Sequence, residues 1–212
     1  SYDQRQAAAS PQLRPPAQGS NPHSDIGAYE ALRLGGKYLL RAVNDPSDTE
    51  ARIQLMWAAT LAGLAFGNAG VHIPHAMSYA VASLKKNYTP PSYPAGKPMV
   101  PHGISVIVNA PAAIQFTAAA CPERHLHAAA ALGVDILDAT PADAGEILAS
   151  KIIDLMHASG IPNGISELGY TAADIPALAE RSLSQQRLLN NSPRPVTLQD
   201  MQGIFENSMS YW

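Results

Sequence analysis

An all-α fold is predicted by three features of this chain: alanine is abundant, aromatic residues make up only 6%, and Ser, Thr and Pro punctuate apolar runs of helical spacing. Alanine is the best helix former, and the β-branched and aromatic runs that strands favour are few. At 212 residues and 46% hydrophobic, the chain can bury one sizeable core. The expected organisation is an extended arm over residues 1–23 and one all-helical domain over residues 24–212.

The arm carries Pro11, Pro15, Pro16 and Pro22 among Gln, Ser and Ala without apolar periodicity, and it ends in the turn signal Gly19-Ser20-Asn21-Pro22. Ser24 then precedes a helical pattern of Ile26, Tyr29, Leu32, Leu39, Leu40 and Val43, which stops near Asn44 because Pro46 interrupts it. Ser47 with Glu50 reads as a capping box that opens a long helix through Ile53, Met56, Trp57, Leu61, Leu64 and Phe66. Along its last turns, Gly63, Gly67 and Gly70 mark either the close approach of another backbone or the helix end.

Gly70 frees the backbone and Pro74 biases Ile73 away from the helical region, so a break falls around His72. A new helix over residues 74–86 takes Pro74 as its first residue, with His75 in the first turn and Tyr79 one turn on, on the same face. Pro90, Pro91, Pro94 and Pro98 stiffen the loop that follows, and His102 comes at its end. Residues 103–109 and 111–120 are apolar enough for buried helices, and residues 122–132 form one closed by Gly133. Thr140 and Pro141 start a helix to Ser159 with Ile147, Leu148, Ile152, Leu155 and Met156 inward; later helices start at Thr171 and Thr197.

Net charge is −3 with 15% charged residues, so no nucleic-acid partner is expected. One cysteine, Cys121, cannot form an internal disulfide, which fits a reducing compartment. There is no apolar run of bilayer-spanning length and no basic-then-apolar leader pattern, so no membrane association is expected. The expected location is cytoplasmic, or the mitochondrial matrix if the source is a eukaryote. No Gly-x-Gly-x-x-Gly follows a strand and no βαβ alternation occurs, so any nucleotide binding must come from elsewhere.

The chemistry-bearing candidates are His75 and His102, two imidazoles at the mouths of helices, each just after a proline that restricts its approach. Neutral imidazole suits ferrous or zinc ions. A firmly held divalent ion takes three or four protein donors, so this pair is half of a metal centre. His72 reads as a packing or helix-end residue, and His23, His125, His127 and His157 as ordinary helix or surface histidines.

Residues 63–79, Pro101-His102-Gly103, Pro122-Glu123-Arg124-His125, and Gly169-Tyr170 with Asp174-Ile175-Pro176-Ala177-Leu178 resemble the C-terminal half of the iron-containing (group III) alcohol dehydrogenases. Within that family the likeness is closest to the hydroxyacid-oxoacid transhydrogenases, from Gly19 to the C-terminus. The resemblance implies a dehydroquinate synthase-like helical domain whose N-terminal Rossmann-like partner domain is absent here. It also implies iron as the metal, with zinc as the alternative, held by His75, His102, and an Asp and a His four residues apart. Those last two have no counterpart, because in the family they precede a Glu-Ser-Tyr-like stretch and this chain opens at Ser1-Tyr2.

By the same resemblance, NAD(P) belongs to the full-length enzyme, the substrate is a small hydroxyacid or alcohol, and the chain alone is inactive. A missing nucleotide-binding half and a homo-oligomer are the implied partners, with Met77 and the glycine-rich segments on the face they cover. Many family members have a histidine where Tyr79 stands, which shifts expectation from simple alcohols to hydroxyacids and gives Tyr79 a hydrogen-bonding or proton-relay role. Arg52, Lys85, Lys86, Lys97 and Arg124 are the cations considered for a substrate carboxylate. Two other readings are a non-catalytic helical assembly domain and a small metal-binding protein using His72, His75 and His102.

Overall fold

Asn21, rather than Ser24, opens the first helix: in the computed structural model, which describes residues 8–14, 17, 19–91, 93 and 96–212, its side chain accepts the Ser24 N–H. Pro22 can therefore occupy the first turn, where its missing N–H costs nothing. The helix, α1, spans Pro22–Asn44. Within the expected arm, residues 1–7, 15, 16 and 18 lie outside the described set, Pro11–Leu13 form a 3-10 turn, and the Gly19 N–H donates to the Ala69 carbonyl.

After the Asp45–Asp48 turn, α2 spans Thr49–Ala69 and packs along α1 as a helical hairpin. Its cap is Asp48, whose carboxylate accepts the Ala51 N–H, while the Ser47 hydroxyl bonds back to Asp45. Ser47 and Glu50 thus form no capping box. The inward stripes also differ from the apolar pattern. Leu34 and Tyr38 of α1 meet Ala51 and Ala58 of α2, whereas Ile26, Ile53, Met56, Trp57 and Leu64 are exposed. Alanine seams let two helix axes approach closely, and this one turns the bulky side chains of α2 outward. Gly63 and Gly67 have open space beside them; only Gly70 acts as a terminator, with φ +82°.

The remaining helices build one larger core and, with the Leu32, Leu39 and Leu40 side of α1, a smaller one around Ala129, Leu132 and Leu148. They are α3 (Ile73–Ser83), α4 (His102–Ile107), α5 (Ala110–Ala118), α6 (Pro122–Ala131), α7 (Ala144–Ala158), α8 (Ile175–Leu183), α9 (Gln186–Leu189) and α10 (Leu198–Asn207). Helix α3 stops at Ser83, short of Lys86: the Ala80 carbonyl accepts both the Leu84 N–H and the Ser83 hydroxyl, and Lys86 pairs with Asp174 at 2.6 Å. Thr140–Asp143, Thr171–Asp174 and Thr197–Asp200 are reciprocal capping boxes. The inner face of α7 is as expected, with Leu148, Leu155 and Met156 buried and Ile147 and Ile152 packed beside them. No strand occurs among the described residues.

Helix α3 is the central element: Ile73, Ala76, Met77, Ala80 and Val81 are all fully buried. Met77 is therefore core, not part of an open partner-facing surface. The far end of α3 is anchored by the Tyr170 hydroxyl, which donates to the Val81 carbonyl at 2.5 Å, and burial pushes that phenol up to about 12. Between α1 and α6 the Arg124–Asp25 ion pair closes the contact.

Adjacent glycines on α1 give a paired test. A Cβ at Gly36 would stand 2.6 Å from the Leu132 backbone oxygen, whereas one at Gly35 meets nothing within 4 Å. Gly35→Ala gains helix propensity alone and should stabilise by about 0.5–1 kcal/mol. Gly36→Ala must push α1 off α6 and should destabilise by about 1–3 kcal/mol despite the same propensity gain. Denaturant unfolding midpoints of the two variants should move in opposite directions.

Candidate metal and substrate site

Two short words of sequence build the site in the same way. In Pro74-His75-Ala76-Met77-Ser78 and Pro101-His102-Gly103-Ile104-Ser105, a proline precedes a histidine in the first turn of a helix, and a serine follows three residues later. Each serine is fully buried and donates its hydroxyl to the carbonyl of its histidine, at 2.8 Å in both cases. A local side-chain bond of this kind fixes the first turn and hence the departure angle of the imidazole. The repeated Pro-His-x-x-Ser word was visible in the sequence and is the signal that pairs the two helices.

Helices α3 and α4 pack against each other, and the His75 and His102 ring centroids lie 5.2 Å apart with an interplanar angle of 62°. Tyr79, one turn along α3, stacks on His102 with centroids 6.5 Å apart and planes 27° off parallel. The three side chains line one cavity of about 490 Å³ together with Phe66, Gly70, Val71, Arg187, Leu188, Asn190 and Asn191. That volume suits a small metabolite. Tyr79 is 41% exposed, so the cavity is open to solvent beside it.

Burial, and secondly the neighbouring His102, hold the His75 imidazole below its ordinary range. It is therefore neutral at physiological pH with a nitrogen lone pair available, the form a metal requires. Among the described residues no cluster of three His, Cys, Asp or Glu side chains could enclose an ion. The donors present fit two positions of a divalent centre.

His72 does not join the pair. It sits at the start of α3, where its carbonyl accepts the His75 and Ala76 N–H groups, and its ring lines a separate cavity with Thr117, Cys121 and His125. A three-histidine ion site with His72 is thereby ruled out among the described residues. Of the other histidines, His125 lies 3.1 Å from the Thr117 hydroxyl, His127 meets Tyr29 edge-on and His157 packs on Trp212. Cys121 is half-buried, its sulfur 3.6 Å from His125 Nδ1.

The cation on the cavity wall is Arg187, which the sequence reading did not single out. None of the five cations considered there lines this cavity, and two are engaged elsewhere, Lys86 with Asp174 and Arg124 with Asp25. Arg187 lies on α9, a helix of four residues too short for any periodicity to reveal. The cavity rim beside it is fixed by Asn191, whose amide donates to the Val71 carbonyl at 3.1 Å and leaves no room for a side chain at Gly70.

With the geometry in place, the comparisons decide the family. The profile described as "Fe-containing alcohol dehydrogenase family, C-terminal" matches residues 16–209. The chain belongs to the iron-containing alcohol dehydrogenase family. It is 46% identical over 199 residues to the mitochondrial hydroxyacid-oxoacid transhydrogenase of Xenopus tropicalis, an alignment covering 94% of this chain and 43% of the relative. Among solved structures, a 1,3-propanediol oxidoreductase superposes with a TM-score of 0.80 at 29% identity, over 91% of this chain and 47% of that one. Sulfoacetaldehyde reductase from Bifidobacterium kashiwanohense, solved in complex with NAD+, superposes with a TM-score of 0.72 at 25% identity, over 92% of this chain and 46% of that one. The chain spans less than half the length of the curated relative it matches, and it corresponds to the helical C-terminal part of the family's fold.

Burial pushes the His72 imidazole down to about 4, and its Nδ1 is shielded from solvent without a partner. A histidine whose folded pKa is depressed binds protons more readily when unfolded, so its contribution is present above about pH 6.5 and is lost as pH falls toward 4. Acidification across that window should cost on the order of 2–3 kcal/mol from this group. Chemical denaturation at a series of pH values should show the slope, and His72→Phe should flatten it.

Proposed function

We propose that this chain is the C-terminal metal-binding and substrate domain of an enzyme that transfers hydride between a hydroxyacid and an oxoacid, the reaction class named for its 46%-identical relative. The single observation that carries the reading is the pairing of His75 and His102, 5.2 Å apart, across a cavity of metabolite size. His75 and His102 would hold a ferrous ion, with zinc the alternative, and the remaining donors would come from outside the described residues. Such an ion supplies Lewis acidity that lowers the pKa of a substrate hydroxyl.

The chain's own residues supply the rest of the site. Tyr79, a phenol able both to donate and to accept, stands one turn from His75 and over His102, and would give or take the proton of a substrate hydroxyl. Gly103 removes a side chain beside His102, and Val71 and Leu188 give the cavity an apolar wall. NAD(P) would bind a nucleotide-binding half outside these residues, so the 212-residue chain alone is inactive. The mitochondrial name of the relative supports a matrix location; no helix among the described residues is long and apolar enough to cross a membrane.

One observation favours an additional assembly role. Ile53, Met56, Trp57 and Leu64 form an exposed stripe along α2 at helical spacing, the kind of apolar surface that a second chain or a second copy covers.

The test compares this chain with the same residues joined to a nucleotide-binding half, each given 4-hydroxybutyrate, 2-oxoglutarate, NAD and ferrous ion. Turnover is expected only in the joined protein, and His75→Ala or His102→Ala should reduce it by about a thousandfold or more. Normal turnover by the isolated chain refutes the dependence on a second half; undiminished turnover in both histidine variants refutes the metal reading.

A further inference from the structure

We infer that Arg187 is the specificity-determining residue of the histidine cavity and receives the carboxylate at the far end of a hydroxyacid, with Asn190 beside it; this rests on the hydride-transfer reading above. The local fold aims it. In α9, burial of Leu188 and Leu189 anchors the short helix in the core, with Leu188 at the cavity wall and the remaining side turned outward. Arg187 and Asn190, three residues apart, share that side and both line the cavity.

The charge pattern of the cavity fits an anion. Among the described residues, Arg187 is the one permanently charged residue that lines it, and no carboxylate does. Among the described residues Arg187 makes no ion pair, in contrast to Arg33, Arg41, Lys86 and Arg124, each of which is held by an acidic neighbour. A guanidinium presents two parallel N–H donors to a carboxylate, which fixes the orientation of the bound molecule as well as its affinity. The imidazoles of His75 and His102 and the Tyr79 phenol line the same cavity, so one small molecule could meet both groups through its two ends. A neutral alcohol can accept a single N–H from Arg187 but not the charge-assisted pair that a carboxylate takes, which makes this residue the discriminator between acids and simple alcohols.

The experiment is an NMR titration of the chain as it stands, following the Arg187 Nε–H signal and the imidazole signals of His75 and His102. 4-Hydroxybutyrate should shift the arginine signal saturably, whereas its neutral counterpart 1,4-butanediol should not. Arg187→Gln should weaken 4-hydroxybutyrate binding at least tenfold and Arg187→Lys by less, with unchanged melting curves showing that both variants fold. Equal affinity in Arg187→Gln, or no saturable shift in the parent chain, overturns the assignment. Saturation of the arginine signal by NAD+ but not by 4-hydroxybutyrate overturns it in favour of a nucleotide phosphate. A parallel titration with zinc separates this inference from the metal reading. If zinc leaves both imidazoles unmoved while 4-hydroxybutyrate still shifts Arg187, the metal reading falls and the carboxylate site stands; the converse result removes only the carboxylate site.

Discussion

The crossing of α3 and α4 is the constraint on which the site depends. Each helix starts with a proline and a histidine, and each buries a serine whose hydroxyl holds the histidine's own carbonyl. Because these bonds are local, the imidazole directions are set by secondary structure and need no long side-chain network to maintain them. The core then fixes the crossing itself: Ile73, Ala76, Met77, Ala80 and Val81 are fully enclosed, and the Tyr170 hydroxyl locks the far end of α3. A histidine pair placed this way is preorganised before any ion arrives, and the depressed His75 pKa keeps its nitrogen free of a competing proton.

The opposite wall of the cavity is built by a different device. Gly70 ends α2 in a backbone conformation that L side chains avoid, and the Asn191 amide fills the space a side chain would occupy while bonding to the Val71 carbonyl. That contact joins the end of α2, the start of α3 and the residues after α9. Arg187 therefore stands at a defined place although its helix is only one turn long.

Much of this was legible in the sequence wherever a residue's chemistry dictates local geometry. Proline first turns, the threonine caps at Thr171 and Thr197 and the break at Gly70 all fell where the residues required, and His75 and His102 were found as a pair. The misplacements have physical causes. Asn21 and Asp48 stand as caps in place of Ser24 and Ser47: each accepts the N–H three residues on, and the Ser47 hydroxyl donates to Asp45 instead. The apolar pattern of α1 and α2 did not reveal which side faces inward: Leu34 and Tyr38 pack on Ala51 and Ala58, while Ile26, Ile53, Met56, Trp57 and Leu64 are exposed. Arg187 escaped notice since its position follows from tertiary packing of Leu188 and Leu189, which no short-range pattern encodes.

The central claim, that His75 and His102 form one half of a shared metal centre, is tested most directly by X-ray absorption on the chain loaded with one equivalent of zinc. The account predicts two imidazole nitrogens at about 2.0–2.1 Å with oxygen donors completing the shell, and one imidazole in each of the His75→Ala and His102→Ala variants. A spectrum without imidazole scattering, or one unchanged in both variants, would contradict it.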